Sequence, residues 1–242
     1  MTVNKQSREV TYKISGYYIL CKLKEISKSL MLVFRNRYFY IGLITLIAGI
    51  ELNFLSQTYL YNYVNGGNIL PMLPDLILDD LPLYNVSLFY DIFSIISFFV
   101  FLIYVFHKKD YNRIPFFLLM IGLMGIIRGI FIVLTPLGNP PLFTGSHAMV
   151  NGFSKFELGV YPSGHVGDAF LFFLMAKNKW YKYLLAFCLM VIIISLYFAH
   201  AHYSIDILSG FFFAYAINSF GEKHLKMFDL QNYQPTTRVP GS

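Results

Sequence analysis

Two short stretches carry residue types able to act on phosphorus: Tyr161-Pro162-Ser163-Gly164-His165 and His200-Ala201-His202-Tyr203-Ser204-Ile205-Asp206. In the second, His202 and Asp206 are four residues apart, which on a helix stacks them on one face about one turn from each other. A carboxylate so placed holds one ring nitrogen and leaves the other unprotonated, the state a nucleophile toward phosphorus needs. The same spacing suits a plain ion pair at a helix end. In the first stretch a Pro-Ser-Gly turn runs into an expected helix start. Unpaired backbone N–H groups and the positive dipole end favour a phosphate there, and Gly164 lets the backbone come close. Ser163 and Gly164 are thus expected to bind substrate, with His165 beside the phosphate as proton donor to the leaving oxygen. A histidine that only caps or lines an interface is the alternative.

Arg128 lies in an apolar run, where a guanidinium needs an anionic partner, and it can grip two phosphate oxygens at once. Phosphoryl transfer is mostly positioning and charge neutralisation, so such a clamp is expected. The alternative is a structural pair with Asp91 or Glu51. Around these groups, Asp168 falls one turn below His165 and can help position it. Asp91 and Glu51 read as structural partners, and His200 as an interfacial residue with room to touch substrate. The remaining carboxylates do not cluster at metal spacing, so neither a metal nor another cofactor is expected.

The elements that must position these residues are membrane helices. The chain has 242 residues, 56% of them hydrophobic and only 13% charged. Its mean hydropathy is +0.55. These values lie outside the range of soluble globular domains. The spacing predicts an all-α, polytopic membrane protein with six spans at about 38–56, 87–106, 115–135, 165–181, 183–199 and 203–220. Basic residues cluster before the first span and after the second, fourth and sixth, whereas the loops at 57–86, 136–164 and 200–202 hold only Lys155. The positive-inside rule then puts both termini in the cytoplasm, with His165, His202 and Arg128 on the extracytoplasmic side. The same clustering explains the net charge of +6 without nucleic acid. Residues 1–37 read as a basic, loosely amphipathic cytoplasmic segment, 38–220 as the membrane domain and 221–242 as a cytoplasmic tail. Cys21 and Cys188 offer neither a disulfide framework nor a zinc or redox spacing.

Pro-Ser-Gly-His at 162–165 and His-x-x-x-Asp at 202–206 resemble the second and third signatures of the type 2 phosphatidic acid phosphatase superfamily. Its members are six-helix membrane enzymes that work through a phosphohistidine. The wording is more closely similar to the sphingomyelin synthase branch, in Ser163-Gly164-His165 and in His200 to Asp206. Leu73-Pro74-Asp75 with Asp79 and Pro82, and Arg128 leading into Thr135-Pro136-Leu137, fit that branch too. The likeness spans about residues 50–220. It implies His202 as nucleophile, Asp206 as its orienting partner and His165 as the acid. Leu196 stands where the phosphatase branch carries an arginine, and Ala201 where the synthase branch tends to carry a carboxylate. The expected function is hydrolysis of a phosphate ester on a lipid head group, the lipid arriving laterally from the bilayer. The alternatives are head-group transfer of phosphocholine or phosphoethanolamine to a lipid hydroxyl, and a non-catalytic lipid-binding scaffold or transporter.

Overall fold

A computed structural model describes residues 24, 26–143 and 158–232. Most of the expected N-terminal segment, Cys21, Lys155 and the tail beyond Asn232 lie outside the described residues. Six helices of twelve or more residues are α1 (Arg37–Asn65), α2 (Ser87–His107), α3 (Ile114–Leu134), α4 (Gly164–Met175), α5 (Lys179–Phe198) and α6 (Ser204–His224). A single turn, Leu76–Asp79, lies in the loop after α1, and residues 26–34 are also helical. No strand occurs among the described residues.

Local chemistry fixes the helix starts. Asn36 caps α1 by accepting from Tyr38 N–H at 2.9 Å, and Asn178 caps α5 by accepting from Trp180 N–H at 3.2 Å. Pro115 stands in the first turn of α3, where a missing N–H costs nothing. Four helices, Arg37–Asn65, Ser87–His107, Tyr111–Leu134 and Lys179–Phe198, are long and apolar enough to cross a membrane. Their outer faces carry large exposed apolar side chains such as Ile44, Leu55, Phe99 and Phe187, a surface suited to hydrocarbon rather than water.

The boundaries differ from the expected spans in three places. Helix α1 runs on to Asn65, because no breaker precedes Gly66 and Gly67; the latter has φ +88°. The fourth span does not reach residue 181. Helix α4 has only 12 residues and ends at Met175, where Ala176 turns extended and Asn178 starts α5 four residues earlier than expected. Helix α6 extends to His224 and carries Asp206, Glu222 and Lys223.

Consecutive helices run antiparallel, as the contacts at their ends show. Arg113, just before α3, hydrogen-bonds the carbonyl of Met175 at the end of α4 and the carboxylate of Glu222 near the end of α6. Tyr104 near the end of α2 accepts from Lys177 N–H, before α5, at 3.2 Å. Short α4 is the centre of the bundle and touches α2, α3, α5 and α6.

Helix α1 packs almost entirely along α3, and glycines make the seam. A Cβ on Gly49 would come within 2.4 Å of the Gly122 carbonyl oxygen, and one on Gly122 within 2.5 Å of the Leu46 nitrogen. Backbones this close exclude side chains, the usual means of helix association where lipid removes the hydrophobic driving force. Two polar bonds across the seam fix its register: Asn53 Nδ2 donates to Gly125 O at 2.6 Å, and Ser56 Oγ donates to Gly129 O at 2.7 Å. Arg128 projects from α3 between these two anchored glycines.

Candidate active site

At one end of the bundle the starts of α4 and α6 meet. Ser163 N–H donates to the Asp206 carbonyl at 3.1 Å, and a Cβ on Gly210 would lie 2.9 Å from the Ser163 carbonyl oxygen. The two signature stretches are therefore joined backbone to backbone. Ser163 is fully buried and caps α4, its hydroxyl 3.5 Å from Val166 N–H. A cis bond joins Tyr161 to Pro162 just ahead of it.

On α6, the Asp206 carboxylate turns back over the first turn. Its Oδ2 lies 3.3 Å from His202 Nδ1 and accepts from Tyr203 N–H at 2.9 Å. His202 precedes the helix, whose extended N-cap is Tyr203, so the expected one-turn stacking is replaced by a capping box: Asp206, in the first turn, reaches back past the cap to His202, and the capping bond holds the carboxylate rigid. The side chains of His202 and Asp206 are 7% and 0% exposed, whereas His165 is 33% exposed. The His165 and His202 rings face each other edge to face with centroids 5.9 Å apart.

His165 has a carboxylate of its own. Asp91, on α2 and 5% exposed, places Oδ1 3.3 Å from His165 Nε2, and the Tyr90 ring packs 5.1 Å from the imidazole. Two His–carboxylate pairs thus confront one another across the junction of α2, α4 and α6. Among the described residues, Asp91 Oδ2 and Asp206 Oδ1 are buried without a hydrogen-bond partner. That leaves the site with acceptor capacity that the described residues do not fill.

Arg128 reaches the same junction from α3, yet its partners are neither Asp91 nor Glu51. It donates from Nε to Pro162 O at 3.2 Å, from one terminal nitrogen to Gly159 O at 3.0 Å, and from the other to Asn53 Oδ1. Three of its five N–H groups are therefore engaged among the described residues. Gly164 makes the approach possible: a Cβ there would meet Arg128 Nε at 2.9 Å and Cζ at 3.3 Å. The guanidinium consequently lies flat on the first turn of α4, beside His165.

Of the remaining residues singled out from sequence, Asp168 stays beside the junction, whereas His200 and Glu51 do not. Asp168 is exposed on α4, with Arg128 and His165 as its charged neighbours. His200 is buried rather than interfacial; it adopts φ +50° and sets Nε2 3.2 Å from the Leu81 carbonyl, so it anchors the reversal between α5 and α6. Glu51 is exposed on α1 and takes no part in the junction. Among the described residues no group of three or more His, Cys, Asp or Glu is arranged to hold a metal ion.

Four residues of the junction carry no catalytic signal in sequence: Asn53, Tyr90, Gly159 and Tyr203. A fifth, Asp75, is conspicuous only through its Leu-Pro-Asp setting. Its carboxylate accepts from Ser204 N–H at 2.5 Å and Ser204 Oγ at 2.9 Å, and also from Ile77 and Leu78 N–H. The loop between α1 and α2 is thereby pinned to the start of α6, two residues beyond His202. Burial pushes the Asp75 carboxyl up, but the hydrogen bonds from Ser204, Leu78 and Ile77 outweigh it and hold it below its ordinary range. Leu73 N–H donating to the Tyr203 hydroxyl at 3.2 Å reinforces the link. No family model and no curated protein matches the sequence.

Proposed function

We propose that the chain is an integral membrane enzyme that cleaves phosphate esters on lipid head groups through a phosphohistidine intermediate. In this reading the six helices all lie in the membrane, short α4 included, with both termini cytoplasmic and the histidines toward the extracytoplasmic face. It would be a member of the type 2 phosphatidic acid phosphatase superfamily, similar to its sphingomyelin synthase branch, acting first of all as a lipid phosphate phosphohydrolase. Charge supports the direction: Lys108, Lys109, Lys177, Lys179, Lys182, Lys223 and Lys226 flank the end of the bundle opposite the histidines.

One observation carries the chemistry: two His–carboxylate pairs with ring centroids 5.9 Å apart, beside a guanidinium laid on a helix start. With Nδ1 held by Asp206, His202 offers Nε2 to phosphorus. The N–P bond forms as the bond from phosphorus to the alkoxide breaks. His165, its Nε2 held by Asp91, passes the Nδ1 proton to the leaving oxygen. Water then attacks phosphorus, returns a proton to His165 and releases His202. Arg128 and the α4 amides offset the charge on the equatorial oxygens.

A second reading, transfer of the head group to a lipid hydroxyl, is favoured by one feature: the His202 side chain is only 7% exposed, which limits water at the phosphoenzyme. Purified protein incubated with short-chain phosphatidate, phosphatidylcholine and ceramide, with chromatographic separation of products, distinguishes these readings. Phosphate release identifies the hydrolase, and a new head-group lipid identifies the transferase. His202→Ala is expected to lower either activity at least ~10³-fold with the fold retained. Activity that survives this substitution overturns the assignment, and inactivity of the wild type on every lipid favours the scaffold or transporter.

A further inference from the structure

At the opposite end of the bundle from the histidines, a groove of about 420 Å³ opens between the end of α2 and the start of α5. That size falls within the range of small-ligand sites, roughly 300–1,000 Å³. Its walls are Ile103, Leu184 and Trp180, which are 55%, 52% and 77% exposed, so the groove is continuous with the apolar outer surface of the two helices. At its polar end stand His107, Lys108 and Tyr181, where His107 Nδ1 and the Tyr181 hydroxyl meet at 2.9 Å and tie α2 to α5.

The charge lining the groove is of one sign. Among the described residues no carboxylate lines the groove. Lys108, Lys177 and Lys179 are all exposed there, and none of the ion pairs among the described residues involves them. Asp110, close in sequence, is buried and committed to Tyr104, Gln231 and Arg113. An apolar slot that opens sideways onto hydrocarbon, with a tryptophan at its mouth and unpaired lysines at one end, fits a molecule with a long apolar tail and an anionic head.

We propose that this groove seats an anionic phospholipid of the adjoining leaflet, with one acyl chain between Ile103 and Leu184 and the phosphate at Lys108. The occupant comes from the bilayer rather than from solution, because the walls face the surface that the apolar helices present to lipid. A zwitterionic lipid meets the same walls, but its cationic group lies against the lysines, so the groove discriminates by head-group charge. This site is separate from the proposed chemistry, lies at the other end of the molecule and does not depend on it.

Trp180 is the only tryptophan in the chain, which makes its emission a reporter of this groove alone. The full chain is reconstituted in phosphatidylcholine vesicles that contain a minor fraction of either phosphatidylglycerol or phosphatidylcholine brominated on the acyl chains. Brominated phosphatidylglycerol is expected to quench Trp180 at about one fifth of the fraction that brominated phosphatidylcholine needs, the discrimination of roughly one lysine near a surface. High salt and Lys108→Gln each narrow the gap, whereas Lys108→Arg keeps it. Equal quenching by the two lipids in the wild type overturns the proposal, whatever the variants do. So does a preference for the anionic lipid that Lys108→Gln leaves intact.

Discussion

Helix α3 carries an arginine at each end, and the two live in opposite circumstances. Arg113 is fully buried among acids: it lies 2.6 Å from Glu222, 3.1 Å from Asp229 and 3.2 Å from the Met175 carbonyl, with the Phe116 and Phe117 rings about 5 Å away, and its Nε faces Asp229 without a hydrogen bond among the described residues. The acids around it are also spoken for, since Asp110 accepts from Tyr104 at 2.8 Å and from Gln231 at 2.6 Å. Arg128, about 22 Å further along the helix, grips an asparagine and two carbonyls instead, while Asp91 and Asp206 of that junction each keep one buried oxygen without a partner among the described residues. A buried polar atom left unpaired costs roughly 1–3 kcal/mol, and among the described residues the histidine junction keeps two such carboxylate oxygens, where the Arg113 end keeps one nitrogen that still faces an anion. The Arg113 end ties α3 to the ends of α4 and α6 through the Met175 carbonyl and Glu222. The Arg128 end joins α3 to α1 through Asn53 and to the start of α4 through Pro162.

Four substitutions test that contrast. The largest effect is expected at the Arg113 end: Arg113→Ala strands buried carboxylates and is expected to cost about 3–5 kcal/mol of stability, read as a lower unfolding temperature in detergent, with turnover per folded molecule unchanged. A loss of turnover without a loss of stability would erase the distinction between the two ends. At the other end, Gly164→Ala drives a methyl against the Arg128 guanidinium, which must shift; such a displacement near the reacting atoms is expected to lower turnover about 100-fold. Its unfolding temperature should move far less than that of Arg113→Ala.

Asp91→Asn sharpens the comparison by removing a charge but keeping a hydrogen-bonding group beside His165. Turnover is expected to fall roughly tenfold, part of the total that general acid catalysis supplies, and the pH profile of kcat should shift. An unchanged profile together with an unchanged rate removes Asp91 from the mechanism. The smallest effect concerns Asp75. Because its carboxyl is held below the ordinary range in the folded chain, its contribution to stability is present above about pH 4 and is lost as pH falls through the depressed value. Asp75→Asn is therefore expected to be less stable than wild type near neutral pH, with the gap closing in acid. A gap that stays constant through the acid range removes the ionised carboxylate as its source.

The features readable from sequence were those set by local rules. Apolar runs located helices at all six expected places, and His202 and Asp206 do meet, though through the capping box at the helix start rather than by stacking on one helical face. Helix ends were less visible. Met175 ends α4 because Asn178 can cap the next helix, a competition between neighbouring signals that periodicity does not weigh. The partners of Arg128 and His165 lay further out of reach. Asn53 and Asp91 are 75 and 74 residues away in the chain, and only the glycine seam and the packing of α2 against α4 bring them near. Asp91 was visible as a costly charge in an apolar run, but its partner was not.

The brevity of α4 sets a depth. Twelve residues rise only about 18 Å, and they connect the histidine junction directly to Met175, whose carbonyl Arg113 holds. A bilayer's oily interior is about 30 Å thick. The two ionic centres are thus closer together than the two rows of head groups in an undisturbed membrane. On the proposed function, a phosphate that reaches His202 would have to sink below its neighbours, or the sheet of lipid would have to pinch inward around the protein to meet it.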